Sequence, residues 1–235
     1  MVSIISNDAT VSKDLDNCLS KASSSFARLS KRVWQSHLLC LSTKIQVYRA
    51  VVVPTFLQDA ETWVLYWKEI SLLEWFHQYC LCSILGIKWQ DHVSNEEVLK
   101  RASLPSTESI LLQLQLCWAG HVTRMEDVCM PKAVFFSELQ EEKCDHGAPR
   151  KHYKDQLKGQ LVRLGISHHS WQQEASDRDS WHSSTRKASL KFEVERHEAA
   201  KERRQQHLNH PQPKPSSVQC LVGCAHQESD STATK

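Results

Sequence analysis

Hydrophobic residues recur along most of this chain at three- and four-residue intervals, the spacing that lines one side of an α-helix. Leu15, Leu19, Ala22, Phe26, Leu29 and Val33 form the first such stripe and predict a helix over about 13–35, with Ser12 as its cap. Ile45, Tyr48, Val51 and Val52 predict a second, stopped by Pro54. Phe56, Ala60, Trp63, Val64 and Trp67 continue a helical stripe. Leu72, Leu73, Phe76, Cys80 and Ile84 carry another, ended by Gly86 in a left-handed cap. Ser94-Asn-Glu-Glu97 fits a capping box and opens a short helix to about 103. Ser106 caps the next, with Ile110, Leu114, Cys117, Trp118 and His121 on one face. Pro149 suits a helix start, Tyr153, Leu157, Leu161 and Leu164 keep the stripe, and Gly165 ends it.

Beyond about residue 170 the pattern thins. The stretch 180–210 is helix-permissive and charged, with Leu190, Phe192 and Val194 as its few apolar anchors, so a long exposed helix is expected, closed by Pro211, Pro213 and Pro215. The polar remainder is expected to be disordered. The fold class is therefore all-α: an irregular helical bundle, then a long charged helix, then a disordered tail. The segments expected are a helical region over 1–90, a second over 91–168, the charged extension over 169–210 and the tail over 211–235. Only six glycines and seven prolines in 235 residues agree with long helices over many tight turns.

A net charge of +2 does not by itself select a nucleic-acid partner, so charge is weighed by segment. No run approaches about 18 apolar residues, and the N-terminus lacks a basic region and an apolar core, so an intracellular protein, not secreted and not membrane-bound, is expected. The nine cysteines are then expected as thiols, since an odd number at irregular spacing makes no disulfide framework.

Candidate chemistry is sparse. There is no phosphate-cradling glycine loop, no nucleophile elbow and no metalloprotease helix motif. Nucleotidyl transfer needs clustered carboxylates to seat two metal ions. Asp14 and Asp16 lie about 200° apart on a helix and are expected as surface charges. His77, Cys80 and Cys82 lack a second ligand pair and are expected as packing residues. Cys220, Cys224 and His226 resemble half a zinc finger without the two later histidines. No catalytic residue, metal, cofactor or small-molecule substrate is expected. The one credible binding surface is basic: Lys143, Arg150, Lys151, Lys154, Lys158 and Arg163 stand against Asp145 and Asp155, with His146 and His152 as further donors. Arg150, Lys154 and Lys158 share a helical face that suits a phosphate backbone, RNA or DNA, although a solvated helix face has the same appearance. The stretch 186–204 has seven Lys/Arg against four Glu, and that mixture favours a solvated helix.

Four strings carry a resemblance. They are Lys44-Ile-Gln-Val-Tyr-Arg-Ala-Val-Val-Val-Pro54 with Ala60-Glu-Thr-Trp63; Ile84-Leu-Gly-Ile-Lys-Trp-Gln-Asp91; Gln115-Leu-Cys-Trp-Ala-Gly-His-Val-Thr-Arg-Met125; and Gly147-Ala-Pro-Arg-Lys-His-Tyr-Lys-Asp155. In order and spacing they resemble the C-terminal third of the endonuclease/reverse-transcriptase proteins of LINE-type, non-LTR retrotransposons, over about residues 10–205. The resemblance implies thumb-like helices (1–90) and a post-polymerase helical segment (91–168) that grip template and primer, without the palm that holds the metal site. Where that family has Leu-Tyr-Gly-Ala-Glu-Thr-Trp, this chain has Gln58 and Asp59 for Tyr and Gly. The family tends to have Arg at Cys40, Trp67, Trp75, Cys82, Cys117, Cys129, Cys144, His146, His152 and His182. Deamination of methylated CpG turns Arg codons into those of Cys, Trp, His or Gln, so the resemblance implies a degenerate copy. Each loss removes an always-charged, phosphate-binding group. The functions expected are a non-enzymatic fragment with weak, non-specific nucleic-acid affinity; a helical protein-interaction module built on the 180–210 helix; or a coding sequence cut short of its palm.

Overall fold

The computed structural model describes residues 11–136 and 152–209. Among these the regular structure is helical, and the fold is all-α. The chain divides into two units, Met1–Glu195 and Arg196–Lys235. The boundary falls inside the 169–210 segment.

Helix α1 (Ser12–Leu29) places Leu15, Cys18, Ala22 and Phe26 on one buried side. Its N-cap is Val11, with no side-chain cap, so Ser12 sits one position too late to serve. A π-turn, Ser30–Trp34, then brings the Trp34 indole back to stack on Phe26, with ring centres 5.1 Å apart, and to donate to the Phe26 carbonyl at 2.8 Å. Helix α2 (Leu41–Val47) and α3 (Val53–Phe56) are joined by a second π-turn, Tyr48–Val52. Pro54 does not stop this run. It comes directly after the π-turn, and the helical path continues to Phe56.

After Phe56 the expected helical stripe fails. Asp59 enters the left-handed region at φ 61, Ala60–Thr62 make one 3-10 turn, and Trp63 leaves it in an extended conformation. Buried Trp63 and Leu65 thus come from a non-helical connection, and Trp67 is exposed rather than on a core face. Asp14, expected at the surface, is buried: it accepts the Trp63 indole N–H at 3.1 Å and fastens α1 to this connection.

Helix α4 (Trp67–Leu85) buries Leu73, Phe76, His77, Cys80, Leu81 and Ile84, and Gly86 ends it in the left-handed region at φ 68 as expected. Helix α5 (Asn95–Ala102) is capped by Ser94, which accepts the Glu97 N–H. Helix α6 (Thr107–Thr123) is capped by Ser106, which accepts the Ser109 N–H. Its buried face is the opposite of the expected one: Leu111, Leu112, Gln115, Leu116, Ala119, Gly120 and Val122 are buried, while Ile110, Leu114, Cys117 and Trp118 are half-buried and His121 is exposed. The helix is apolar nearly all round, so periodicity alone cannot choose its core side.

Helix α7 (Met130–Phe136) follows, then α8 (Tyr153–Arg163), which buries Leu157 and Leu161; Leu164 is buried just beyond it and Gly165 turns at φ 70. Helix α9 (Trp171–Ser176) precedes the long α10 (Arg178–Asn209). Within the first unit α10 is not the exposed rod expected, because Trp181, Thr185, Ala188, Ser189 and Phe192 are buried. In the second unit residues 196–209 continue as helix, and 201–206 are exposed.

Two apolar clusters result. One gathers α1–α5 and the start of α6; the other joins the rest of α6 to Phe135, α8, α9 and the first half of α10. Helix α6 belongs to both. No described helix is long and apolar enough to cross a membrane. Pro149, the prolines after 210 and the tail over 211–235 lie outside the described residues.

Candidate nucleic-acid interface

The core-facing side of α8 is held by an unexpected glutamine network. Gln115, from the middle of α6, donates to the carbonyls of Ala60 (3.3 Å) and Trp63 (3.0 Å). Its Oε1 accepts from Gln156 at 2.9 Å and also from Gln160. Gln156 Oε1 accepts the Leu65 N–H at 3.1 Å. The Tyr153 hydroxyl donates to the Glu61 carbonyl at 2.9 Å, and burial pushes its pKa upward, so it stays a neutral donor. These bonds satisfy the Ala60, Glu61 and Trp63 carbonyls and the Leu65 N–H of the 60–65 connection, whose single 3-10 turn leaves most of them without helical partners. They also fix the rotation of α8 about its axis. A cavity of about 240 Å³ remains beside the network, lined by Leu65, Ile70, Leu111, Leu112, Gln156 and Arg163 among others.

With its inner face fixed, α8 turns Lys154 and Lys158 outward, both exposed and four residues apart. Exposed His152 precedes the first turn as the N-cap. His168 has its pKa pushed down by desolvation, by His169 and by Lys158. That shift favours the neutral imidazole, so at the end of α8 Lys158 carries the charge and the His168–His169 pair, whose rings are 3.6 Å apart, lies beside it. Sequence reasoning passed over these histidines; the turn at Gly165 is what folds them back.

Arg163 is placed differently. Both terminal nitrogens donate to Glu108 Oε1 at 3.1 Å, and its guanidinium lies 4.8 Å from the centre of the Phe192 ring. Its charge is thus shared with Glu108, and it clamps α8 to α6. The face Lys154–Lys158 does not include it. Lys143, Arg150 and Lys151, with His146, lie outside the described residues, as do Cys144, Cys220, Cys224 and His226. Among the described residues no group of three or more His, Cys, Asp or Glu side chains could hold a metal ion. Asp16 is exposed while Asp14 is taken up by Trp63. His77 and Cys80 are core side chains; the Tyr48 hydroxyl meets His77 Nδ1 at 2.9 Å.

No protein-family model, no curated protein and no solved structure matches the chain. Chemically, the surface of α8 offers two exposed lysines, with the His168–His169 pair just beyond the end of the helix. That suits salt-dependent contact with phosphates.

Proposed function

We propose that the chain is a degenerate, catalytically incomplete piece of the region beyond the polymerase palm of a LINE-type reverse transcriptase. Its remaining activity would be weak, sequence-independent contact with RNA or DNA through α8. The observation that carries this reading is Asp59 at φ 61. A non-glycine residue in the left-handed region is uncommon and strained. It stands where the resembling pattern Leu-Tyr-Gly-Ala-Glu-Thr-Trp has its glycine, the residue such a turn favours. A turn formed as though glycine were there, in a chain that has lost it, fits decay from that pattern. The lost-arginine positions add support. Of those described, Cys40, Trp67, Trp75, His152 and His182 are exposed, Cys82, Cys117 and Cys129 are half-buried, and none is in the core, as former surface arginines require.

The test is a salt-titrated binding curve of the full chain with mixed-sequence RNA and duplex DNA. Weak binding, indifferent to sequence and falling steeply with salt, is expected. Absence of binding at low salt, or a preference for one sequence, would remove the proposal. A second reading, a helical protein-interaction module, is favoured by exposed Leu190 and Val194, one turn apart on α10. Changing both to Gln, which adds no charge, should leave nucleic-acid binding unchanged under the first reading and abolish partner capture under the second.

A further inference from the structure

The glutamine network leaves one polar valence open, and it belongs to a residue in the wall of the cavity beside it. That cavity, about 240 Å³, is a groove between α6 and α8. The helices run antiparallel along it: Glu108 near the start of α6 pairs with Arg163 at the end of α8, and Gln115, about two turns on, meets Gln156 and Gln160. Leu65, Ile70, Leu111 and Leu112 give the groove an apolar wall. Gly159 stands in the interior of α8 and also lines the groove, although glycine weakens a helix. No packing requires it, because a Cβ there would meet nothing within 4 Å. Its missing side chain keeps the groove open.

Partners fix the amide orientations. Gln115 Nε2 donates to two carbonyl oxygens, those of Ala60 and Trp63, so that atom is the nitrogen. Gln115 Oε1 is then an acceptor, and the Gln160 atom that meets it is Nε2. Gln160 Oε1 is left buried and without a donor among the described residues. A buried acceptor in that state costs stability unless something donates to it. The charges say what can. Glu108 and Asp155 line the groove against one guanidinium, Arg163, which is already paired with Glu108. The surplus is negative and sits on exposed Asp155. An anion entering here faces two carboxylates and leaves Gln160 Oε1 unpaired, whereas a cation with N–H donors answers both. The volume lies just under the roughly 300 Å³ of the smallest pockets for drug-sized molecules, so it suits a single ring with one substituent.

We propose that this groove binds a small planar monocation, an amidinium or guanidinium carried on an apolar body. Its N–H groups donate to Gln160 Oε1, Asp155 offsets its charge at the opening, and its apolar part lies along Leu111 and Leu112. The site is separate from the face of Lys154 and Lys158 and does not rest on contact with nucleic acid.

Benzamidine is the probe, titrated into the full chain and followed by ligand-observed NMR, with benzamide and benzoate as molecules of the same shape. Benzamidine should bind with a Kd of about a millimolar, as suits so small a ligand. Benzamide, which has N–H donors but no charge, should bind more weakly, and benzoate, an anion without donors, not at all. Asp155→Asn, an exposed and isosteric change, should weaken benzamidine about two- to fivefold, the range of an exposed ion pair, and leave benzamide unchanged. Gly159→Leu puts a side chain over the groove and removes a helix-weakening glycine, so it should abolish binding while the melting temperature holds or rises. A chain that binds benzoate as tightly as benzamidine, or binds no probe, overturns the proposal. So does benzamidine affinity indifferent to both Asp155→Asn and Gly159→Leu, which would place the probe elsewhere on the chain.

Discussion

The Trp181 indole lies directly on the backbone of Gly120, where any Cβ would collide with Nε1 and Cδ1 of the ring. The same nitrogen donates to the Leu116 carbonyl at 2.9 Å, so the two helices meet with a backbone–ring contact on one side and a hydrogen bond on the other. Trp181 is fully buried and anchors α10 in the second apolar cluster. Gly120→Ala should therefore destabilise the first unit by about 1–3 kcal/mol through overpacking. Trp181→Ala should cost about 3–5 kcal/mol through the cavity it leaves. Urea titrations of both variants check this, and a Gly120→Ala chain as stable as the parent would show that α10 is not held there.

Stability should also fall in mild acid because of His77. It is fully buried, and desolvation pushes its pKa below the ordinary value of 6.5, against the opposing attraction of Glu74 and Glu193. The folded protein thus binds this proton less readily than the unfolded chain. A depressed histidine leaves stability intact above about pH 6.5 and removes it as the pH drops below, by up to about 1.4 kcal/mol per unit. Unfolding free energies at pH 7.5 and 5.0 measure the effect. His77→Phe gives up the bond to Tyr48 and should be less stable at neutral pH, yet show a shallower decline. An equal decline in both proteins would assign the acid sensitivity to other groups.

Asp59 gives a third test. Relieving its left-handed backbone with Asp59→Gly should raise stability by about 1 kcal/mol, against the usual direction for a glycine substitution. Calorimetric melting of the two proteins decides it. A lower melting temperature for Asp59→Gly would mean that the Asp59 side chain stabilises the turn and that position 59 is not a glycine site.

The helices whose polar sides are clear were legible in the sequence. Ser94 and Ser106 cap α5 and α6, Gly86 and Gly165 end their helices at positive φ, and Leu157, Leu161 and Leu164 are the buried stripe of α8. The 56–67 stretch was misread because Phe56, Ala60 and Trp63 are spaced as on a helix, although Asp59 breaks the backbone and Gln115 and Gln156 satisfy it from afar. No local pattern shows such bonds, which span 52 and 91 residues. The core face of α6 was misjudged because apolar residues surround that helix. At the candidate site Lys154 and Lys158 lie where the i+4 spacing placed them, while the pairing of Arg163 with Glu108 needed the tertiary fold.

That pairing separates the basic residues of α8 in function. Lys154→Ala/Lys158→Ala should weaken nucleic-acid binding and flatten its salt dependence by up to about 1.8, two phosphate contacts on duplex DNA. Arg163→Ala should leave the salt slope nearly unchanged and lower stability instead, since its charge is directed at Glu108. Fluorescence anisotropy across a salt series separates the two. Equal slopes for the parent and the double variant would clear α8 of any phosphate contact.

Placing arginine where the resembling family has it should act unevenly, and the structure says where. Cys82, Cys129 and His152 have exposed or half-buried side chains, so arginines there add charge without entering the core. Each that reaches a phosphate releases about 0.9 counterion from duplex DNA, so the triple revertant should bind more tightly at low salt, with a steeper salt slope. Cys117 is different. Its thiol is 3.5 Å from His182 Nδ1 and 3.9 Å from Thr185 Oγ1, and burial pushes its pKa upward. An arginine in that site loses much of its hydration, and the neighbouring groups offer no carboxylate in return. Restoring His182 as well would set two guanidinium groups side by side, a like-charge contact in a partly desolvated place. Cys117→Arg should therefore lower the melting temperature, and Cys117→Arg/His182→Arg should lower it by more than the sum of the single changes. Melts of the single and double revertants form a cycle that measures this coupling directly. If the two changes were additive or mutually stabilising, the α6–α10 contact would tolerate paired arginines, and the present Cys117–His182 contact would hold no memory of a charged surface.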